Sequence, residues 1–274
     1  MAQNFKTLLL KSRQNVYTLL SGHSLSKLRG EGHDFVELRE YQVGDDIRKI
    51  NWIITAKLGK PYIKELYTNK ELSVVVATLM DGGVYCNKDN AKQEIMTEVV
   101  ATLGYAVQHN NDLFTGIGYT PKKIFSTPPT KQLFDIEHFS QQLNEAMLID
   151  ASLDICSCTD DLFKRIEKPS LLFILYDFLE PIDLSLLAQR HEVIAIIIRH
   201  QDEEFPQHKG EVILHHPKTG RKKHTYINKH STIHYLTQRK IHDEAIIKTF
   251  SRHNIRYVKI LTEEEPIEKL LTLF

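Results

Sequence analysis

Three short apolar runs, rich in β-branched residues, constrain the fold of this chain more than any other feature. They are Leu72 to Met80, Leu171 to Phe178 and Val193 to Arg199, and each is nearly continuous. Such runs are typical of strands that are covered on both faces of a sheet. Segments with helical spacing, Asp89 to His109 and Asp183 to Arg190, lie between them. This alternation predicts an α/β fold with a doubly wound, mostly parallel sheet.

Weaker patterns predict the remaining elements of the chain. Four further helices are expected, over Phe5 to Leu20, Lys131 to Leu148, Ser231 to Arg252 and Glu264 to Phe274. Four further strands are expected, over Pro61 to Tyr67, Leu113 to Tyr119, Lys123 to Thr127 and Ile255 to Leu261, with Lys123 to Thr127 at a sheet edge. Val212 to His216 and Lys223 to Ile227 flank a Pro-Lys-Thr-Gly turn, which predicts an inserted β-hairpin. The lysine-rich tip of this hairpin is interpreted as a solvated turn.

The composition narrows the classes of partner. Lys+Arg and Asp+Glu are both 35 in 274 residues, so no net charge draws the chain to nucleic acid or to an anionic membrane. No apolar run approaches the ~20 residues that a membrane-spanning helix needs. Three cysteines are too few for a disulfide framework. The sequence therefore predicts a cytoplasmic protein with reduced thiols, without membrane insertion and without a nucleic-acid partner.

The segment from Gly22 to Trp52 is the least generic part of the chain. In this segment arginines recur among acidic residues, glycines stand at possible turns, and two aromatic side chains are present. These residues include Arg29, Gly30, Gly32, Arg39, Tyr41, Gly44, Asp45, Asp46, Arg48 and Trp52. Guanidinium groups match carboxylates in bidentate geometry, so the segment can form an ordered ion-pair network. A solvated linker would need neither the Gly44-Asp45-Asp46 turn nor Trp52, and we interpret the segment as ordered.

This segment resembles the signature of the bacterial family known as domain of unknown function 58. The matching residues are, in order, Ser24, Arg29, Gly30, Gly32, Phe35, Arg39, Tyr41, Gly44, Asp45, Asp46, Arg48, Ile50, Trp52, Ala56 and Lys57. Asn51 departs from the family, which usually has Asp there, and Tyr176-Asp177-Phe178 and the hairpin match later family motifs. The resemblance implies an N-terminal segment over 1–69 that carries the signature, and a domain over 70–274 similar to a von Willebrand factor A domain.

Domains of that type often hold Mg²⁺ at a metal-ion-dependent adhesion site. Its ligands are an Asp-x-Ser-x-Ser loop, a Thr and a later Asp, all of which supply the oxygens that Mg²⁺ prefers. Aligned on Asp81, this chain has Gly83 and Tyr85 at the two serine positions; shifted by two residues, it places Leu79 at the Asp position. Asp177 keeps the later acid. The resemblance thus implies a degenerate site, with Asp81 and Asp177 as weak metal candidates.

We therefore expect no metal and no cofactor. Thr120 and Thr127 are the alternatives for the threonine ligand. In the structural interpretation Asp81 is a turn residue before two glycines, and Asp177 is the N-cap of the following helix. His230 and His234, spaced i and i+4, are interpreted as a surface pair rather than as ligands.

The resemblance implies a non-enzymatic adaptor that works with a MoxR-type AAA+ ATPase and an unknown client protein in the assembly or maturation of a complex. The alternative is a metal-dependent hydrolase or nucleic-acid-processing enzyme with a non-standard site. No nucleophile elbow, phosphate-binding loop or complete metal set is found in the sequence, and this favours the adaptor. The signature residues are the candidates for partner binding. Among them we expect Arg39 and Trp52 to be structural, and Arg29 and Arg48 to lie nearer the partner surface.

Overall fold

The computed structural model describes residues 2–23, 35–42, 45–66, 71–85, 90–207 and 210–273; for some of these, including 35–39, it describes only the backbone. The chain forms two compact units. We call Thr18–Glu71 the signature unit, and Met1–Tyr17 together with Leu72–Phe274 the sheet unit.

The first helix, α1 (Ala2–His23), spans the boundary between the two units. Its part in the sheet unit is held by polar contacts to later elements. Lys11 Nζ lies 3.3 Å from Glu98 Oε1 and 2.7 Å from Glu265 Oε2, and Val16 is buried. These contacts explain why Met1–Tyr17 belongs with the sheet unit although 54 residues of chain lie between Tyr17 and Leu72.

The signature unit is built on two antiparallel strands, β1 (Phe35–Glu40) and β2 (Tyr62–Leu66). Between them lie a 3₁₀ turn over Ile47–Lys49 and helix α2 (Trp52–Leu58). Asn51 caps α2 by accepting a hydrogen bond from Ile54 N at 3.4 Å. Asn and Asp cap helices about equally well, so the change from the family's Asp preserves this local role.

The sheet unit alternates strands with helices along the chain. In order these are β3 (Ser73–Leu79), α3 (Ala91–His109), β4 (Leu113–Tyr119), β5 (Ile124–Ser126), α4 (Leu133–Asn144), α5 (Ile155–Arg165), β6 (Leu171–Tyr176), α6 (Ser185–Arg190), β7 (Glu192–Arg199), α7 (Gln201–Glu204), β8 (Gly210–His215), β9 (Lys222–Ile227), α8 (Lys229–Arg252), β10 (Arg256–Leu261) and α9 (Pro266–Leu271).

Within the described residues the main sheet has six strands in the order β10-β7-β6-β3-β4-β5. Neighbouring strands are parallel except for β5, which pairs antiparallel with β4 at the edge. The predicted mostly parallel sheet and its edge strand are thereby confirmed. Strands β8 and β9 form a separate antiparallel hairpin, as predicted.

Alternate residues of the central strands face opposite layers of helices. Val74 and Val76 of β3 belong to a core that includes Met96 of α3, whereas Val75 and Ala77 belong to a core that includes Leu162 of α5. Both faces of the sheet are therefore covered by apolar side chains, which explains why these strands lack the polar alternation of a half-exposed sheet.

Helix α5 was not predicted, although the sequence carries a signal for it. Asp154 is its N-cap and accepts from Ser157 N at 3.3 Å, while Ile155, Cys158 and Leu162 are buried at helical spacing. The N-cap role predicted for Asp177 is wrong, because the next helix, α6, begins only at Ser185. Among the described helices, none is long and apolar enough to cross a bilayer.

Candidate functional site

The sheet order defines where a ligand site is expected. In open parallel sheets, ligands bind beyond the carboxyl ends of the strands at the point where the strand order reverses. Here the chain runs from β3 to β4 on one side, and β6 later pairs with the other side of β3. Asp81 follows β3 and Asp177 follows β6, and both residues are buried. We call the space between them the crevice.

Asp81 is both a turn residue and half of an ion pair. It is the N-cap of a 3₁₀ turn over Gly82–Val84, and its Oδ1 accepts a hydrogen bond from Gly83 N at 2.8 Å, which confirms the predicted turn role. Its Oδ2 lies 2.8 Å from Nζ of Lys218. This contact joins the loop after β3 to the tip of the β8–β9 hairpin, 137 residues later in the chain.

Lys218 is the residue of the crevice whose position differs most from the sequence-based interpretation. Its side chain is 11% exposed and also lies 2.8 Å from Glu180 Oε1, so the solvated-turn interpretation is wrong for this residue. Burial lowers the pKa of Lys218, but its contacts with the Asp81 and Glu180 carboxylates outweigh burial, and the pKa lies above its ordinary 10.5. The ammonium group is therefore charged at neutral pH.

A second lysine enters the crevice from α3. The side chain of Lys92 is fully buried, with Nζ 2.7 Å from Glu203 Oε1 and 3.5 Å from Asp177 Oδ2. Asp177 Oδ1 accepts a hydrogen bond from Leu179 N at 3.0 Å. Each of the two aspartates of the crevice therefore has a lysine partner, and neither lysine was identified from the sequence.

The loop that carries Asp177 is fixed by Arg199, at the end of β7. Its fully buried guanidinium donates from Nε to the Asp177 carbonyl oxygen, and from Nη2 to Phe178 O at 3.0 Å and to Asp243 Oδ1 at 3.1 Å. Phe178 has a φ of 50°, a left-handed conformation that these bonds to its carbonyl help to hold. His242 Nε2 lies 3.0 Å from the same oxygen. The position of Asp177 is thus set by buried hydrogen bonds.

The residues of the crevice do not fit a divalent cation. Gly83 and Tyr85, at the positions where the predicted alignment has serines, offer no aliphatic hydroxyl, and the alternative hydroxyls are used locally: Thr120 Oγ1 donates to Lys123 O at 2.8 Å, and Thr127 Oγ1 accepts from Gly116 N at 2.9 Å. The two carboxylates already face ammonium groups, which a cation would have to displace. In the part of the chain that the structure describes, no three His, Cys, Asp or Glu side chains are grouped to hold a metal.

A cleft of about 300 Å³ lies at the carboxyl end of β4, between Thr120, Lys123 and the start of α5. Cys158 lines it, but burial, together with the nearby Asp154 and Asp161, raises the pKa of this thiol to about 12. A thiol must ionise to act as a nucleophile, so Cys158 is unreactive at neutral pH. Cys158 is therefore not an activated nucleophile in this cleft.

Part of the signature lies outside the described residues. This applies to Arg29, Gly30, Gly32 and Gly44. Phe35 and Arg39 lie in β1, where only the backbone is described, and Arg39 pairs in register with Ile63 of β2. Tyr41 N donates to Pro61 O at 2.8 Å, and Asp45 Oδ2 accepts from Gln42 N at 2.9 Å.

Arg48, the signature arginine whose side chain the structure describes, makes a local ion pair rather than a buried network. Asp46 Oδ1 accepts from both N and Nε of Arg48, at 3.0 and 3.2 Å, and the Arg48 side chain is 91% exposed. Trp52, at the start of α2, is 65% exposed. We expected Trp52 to be packed as a structural side chain, but it is exposed. The whole helix shares this property, because no residue of α2 is buried.

The family is now clear from comparison with known proteins. The model of the family described as protein of unknown function DUF58 matches residues 37–245, and the chain belongs to this family. An uncharacterized protein of Mycobacterium bovis and one of Mycobacterium tuberculosis are each 25% identical to it over 238 residues, which cover 80% of this chain and 72% of the relative.

Two solved structures are similar over much of the chain. The conserved hypothetical protein BatB of Bacteroides thetaiotaomicron has a TM-score of 0.42 at 8% identity, covering 73% of this chain and 96% of BatB. An aerotolerance-related membrane protein of Bacteroides fragilis has a TM-score of 0.41 at 9% identity, covering 74% of this chain and 96% of that protein.

Proposed function

We propose that this protein is a non-enzymatic interaction module, an adaptor that works with a MoxR-type AAA+ ATPase in the assembly or maturation of a client complex. The observation that carries the proposal is the pairing of Asp81 and Asp177 with Lys218 and Lys92. A catalytic site needs convergent reactive groups around a space for substrate. At the expected ligand position of this sheet, the acidic groups are instead engaged by the chain's own lysines.

The signature unit supplies the surface that we assign to the partner. Ile47, Trp52 and Ile53 are large apolar side chains that are mostly exposed, and Arg48 lies among them in sequence. Exposed apolar groups close together mark interaction sites, and Trp and Arg are enriched among the residues that dominate binding energy. We call these four residues the signature surface. We further propose a cytoplasmic location, which the small number of cysteines supports.

The test uses the purified protein and a purified MoxR-type ATPase from the same cell, with affinity measured by calorimetry in the presence of a non-hydrolysable nucleotide. Trp52→Ala and Arg48→Ala are each expected to weaken binding by at least about 10-fold, because truncating a residue that dominates an interface costs ~2 kcal/mol or more, and ~1.4 kcal/mol is already tenfold. Neither variant is expected to change the melting temperature, since both side chains are exposed.

Matched controls come from the exposed face of α8. Ile241→Ala removes a similarly exposed apolar side chain, and Lys248→Ala an exposed cation, and both are expected to keep the wild-type affinity. Absence of binding by the wild-type protein, or equal loss in signature and control variants, would refute the assignment of this surface. Metal-stimulated hydrolysis of phosphate esters or nucleic acid, abolished by Asp81→Asn, would favour the enzymatic alternative.

A further inference from the structure

The tip of the β8–β9 hairpin is shaped to enter the crevice. A Cβ atom on Gly82 would lie 1.9 Å from the carbonyl oxygen of Pro217, so only glycine permits this approach of the tip. The same carbonyl accepts a hydrogen bond from Asp150 N at 2.9 Å, and His215 Nε2 lies 3.4 Å from Asp150 Oδ1. A backbone hydrogen bond from Asp150 to Pro217 and a side-chain contact from His215 to Asp150 thus hold the tip in place just before Lys218 in the chain.

Gly83 makes room for the lysine itself. A Cβ atom on this residue would lie 3.2 Å from Cε of Lys218, and also 2.9 Å from Asp81 Oδ1 and 3.0 Å from Asp177 Oδ2. One point beside Gly83 is therefore close to both carboxylates and to the end of the lysine side chain. A serine at position 83, as in a complete metal site, would crowd Lys218, so glycine here and lysine at the tip belong together.

We propose that Lys218 is the permanent cation of the crevice, with its ammonium group in the place that a divalent metal ion would take. Lys218 contacts Asp81 and Glu180, and Lys92 contacts Asp177 and Glu203, so the acids of the crevice are paired with lysines of the same chain without a metal ion. The hairpin of the same chain then fills the position at the end of the sheet where a ligand would otherwise bind. This inference concerns the sheet unit and does not depend on the partner proposed above.

The experiment compares the wild type with Lys218→Ala, Lys218→Ala/Asp81→Asn and the control Lys222→Ala, which removes an exposed lysine from the same hairpin. Melting temperatures are measured in EDTA and in millimolar Mn²⁺, and Mn²⁺ binding is followed by the loss of the free-ion signal in electron paramagnetic resonance. We expect the wild type and Lys222→Ala to bind no Mn²⁺ and to melt alike in both buffers.

Lys218→Ala is expected to melt at a lower temperature in EDTA, because the buried Asp81 carboxylate loses its counterion. It should bind Mn²⁺, which stabilises the native state by mass action. The double variant should melt higher than Lys218→Ala in EDTA, because the uncompensated charge is gone, and it should bind no Mn²⁺.

Three results would overturn the proposal. The first is stoichiometric Mn²⁺ binding by the wild type that Asp81→Asn abolishes. The second is a Lys218→Ala protein that melts like the wild type or binds no Mn²⁺. The third is a double variant that is no more stable than Lys218→Ala, and this comparison also applies if Lys218→Ala does not fold.

Discussion

Replacing Lys92 by methionine tests the energetics of the crevice most severely, because this side chain is fully buried between two acids. Its ammonium lies 2.7 Å from Glu203 and 3.5 Å from Asp177, whose side chains are 15% and 3% exposed. Methionine keeps the length and apolar stem of lysine but leaves these acids without that partner. Breaking a buried pair from one side costs ~3–5 kcal/mol, because a charge remains uncompensated.

For a chain of this size, such a loss corresponds to a fall of roughly 6–20 °C in melting temperature. The free energy of unfolding is measured by urea denaturation, which is followed by far-ultraviolet circular dichroism. The dependence of this free energy on urea concentration should be the same for the wild type and Lys92→Met, which checks that they unfold alike. Lys269→Met is the control, since Lys269 pairs with Glu264 at 2.8 Å on a more exposed surface. An exposed pair contributes at most ~1 kcal/mol.

Neutralising Glu203 should recover part of the stability that Lys92→Met loses. Lys92→Met/Glu203→Gln is expected to be more stable than Lys92→Met, because one of the two uncompensated carboxylates has become neutral. If Lys92→Met costs no more than Lys269→Met, the lysine is not the counterion that we describe. The free energy lost by the double variant is compared with the sum of the losses of Lys92→Met and Glu203→Gln. If the two values are equal, the two side chains are not coupled.

Two further predictions follow from the pKa shifts. Since the folded-state pKa of Lys218 lies above its ordinary 10.5, the stabilisation by its charge is complete below that pH and is lost as the pH rises through the folded-state pKa. The difference in unfolding free energy between the wild type and Lys218→Ala is therefore expected to stay constant from about pH 7 to about pH 10 and to shrink at higher pH; a decline near neutral pH would contradict the ion pair. Burial raises the pKa of Cys158 to about 12, whereas Cys156 is exposed, so iodoacetamide at mildly alkaline pH should label Cys156 before Cys158, as read by fragment mass spectrometry. Equal labelling of Cys156 and Cys158 in the native protein would show that Cys158 is accessible.

The sheet could be predicted from the sequence because its signals are local. The runs that became β3, β6 and β7 are apolar on both faces, and this property follows from a few consecutive residues. The hairpin was equally readable, since a Pro-Lys-Thr-Gly turn lies between two strand patterns. Helix α5 was missed because only three of its residues, Ile155, Cys158 and Leu162, are buried, and its remaining residues except Phe163 and the partly polar Cys156 are polar.

The candidate site could be predicted only in part. Asp81 and Asp177 were found because each follows a recognisable strand. The role of Lys218 depends on where the hairpin folds back, which local sequence does not encode, and a lysine in a turn is usually solvated. Lys92 likewise stands in the first turn of a helix, where nothing nearby in sequence indicates full burial. Trp52 suggested a packed anchor, yet α2 exposes it.

The decisive question is what occupies the space between Asp81 and Asp177. A crystal structure of the wild-type protein grown in millimolar Mn²⁺, with an anomalous difference map at the manganese edge, answers this in one measurement. We expect no anomalous peak between the two carboxylates, and Nζ of Lys218 within hydrogen-bonding distance of Asp81, near the 2.8 Å described here. A manganese peak bound by both aspartates, with Lys218 turned out of the crevice, would contradict the account.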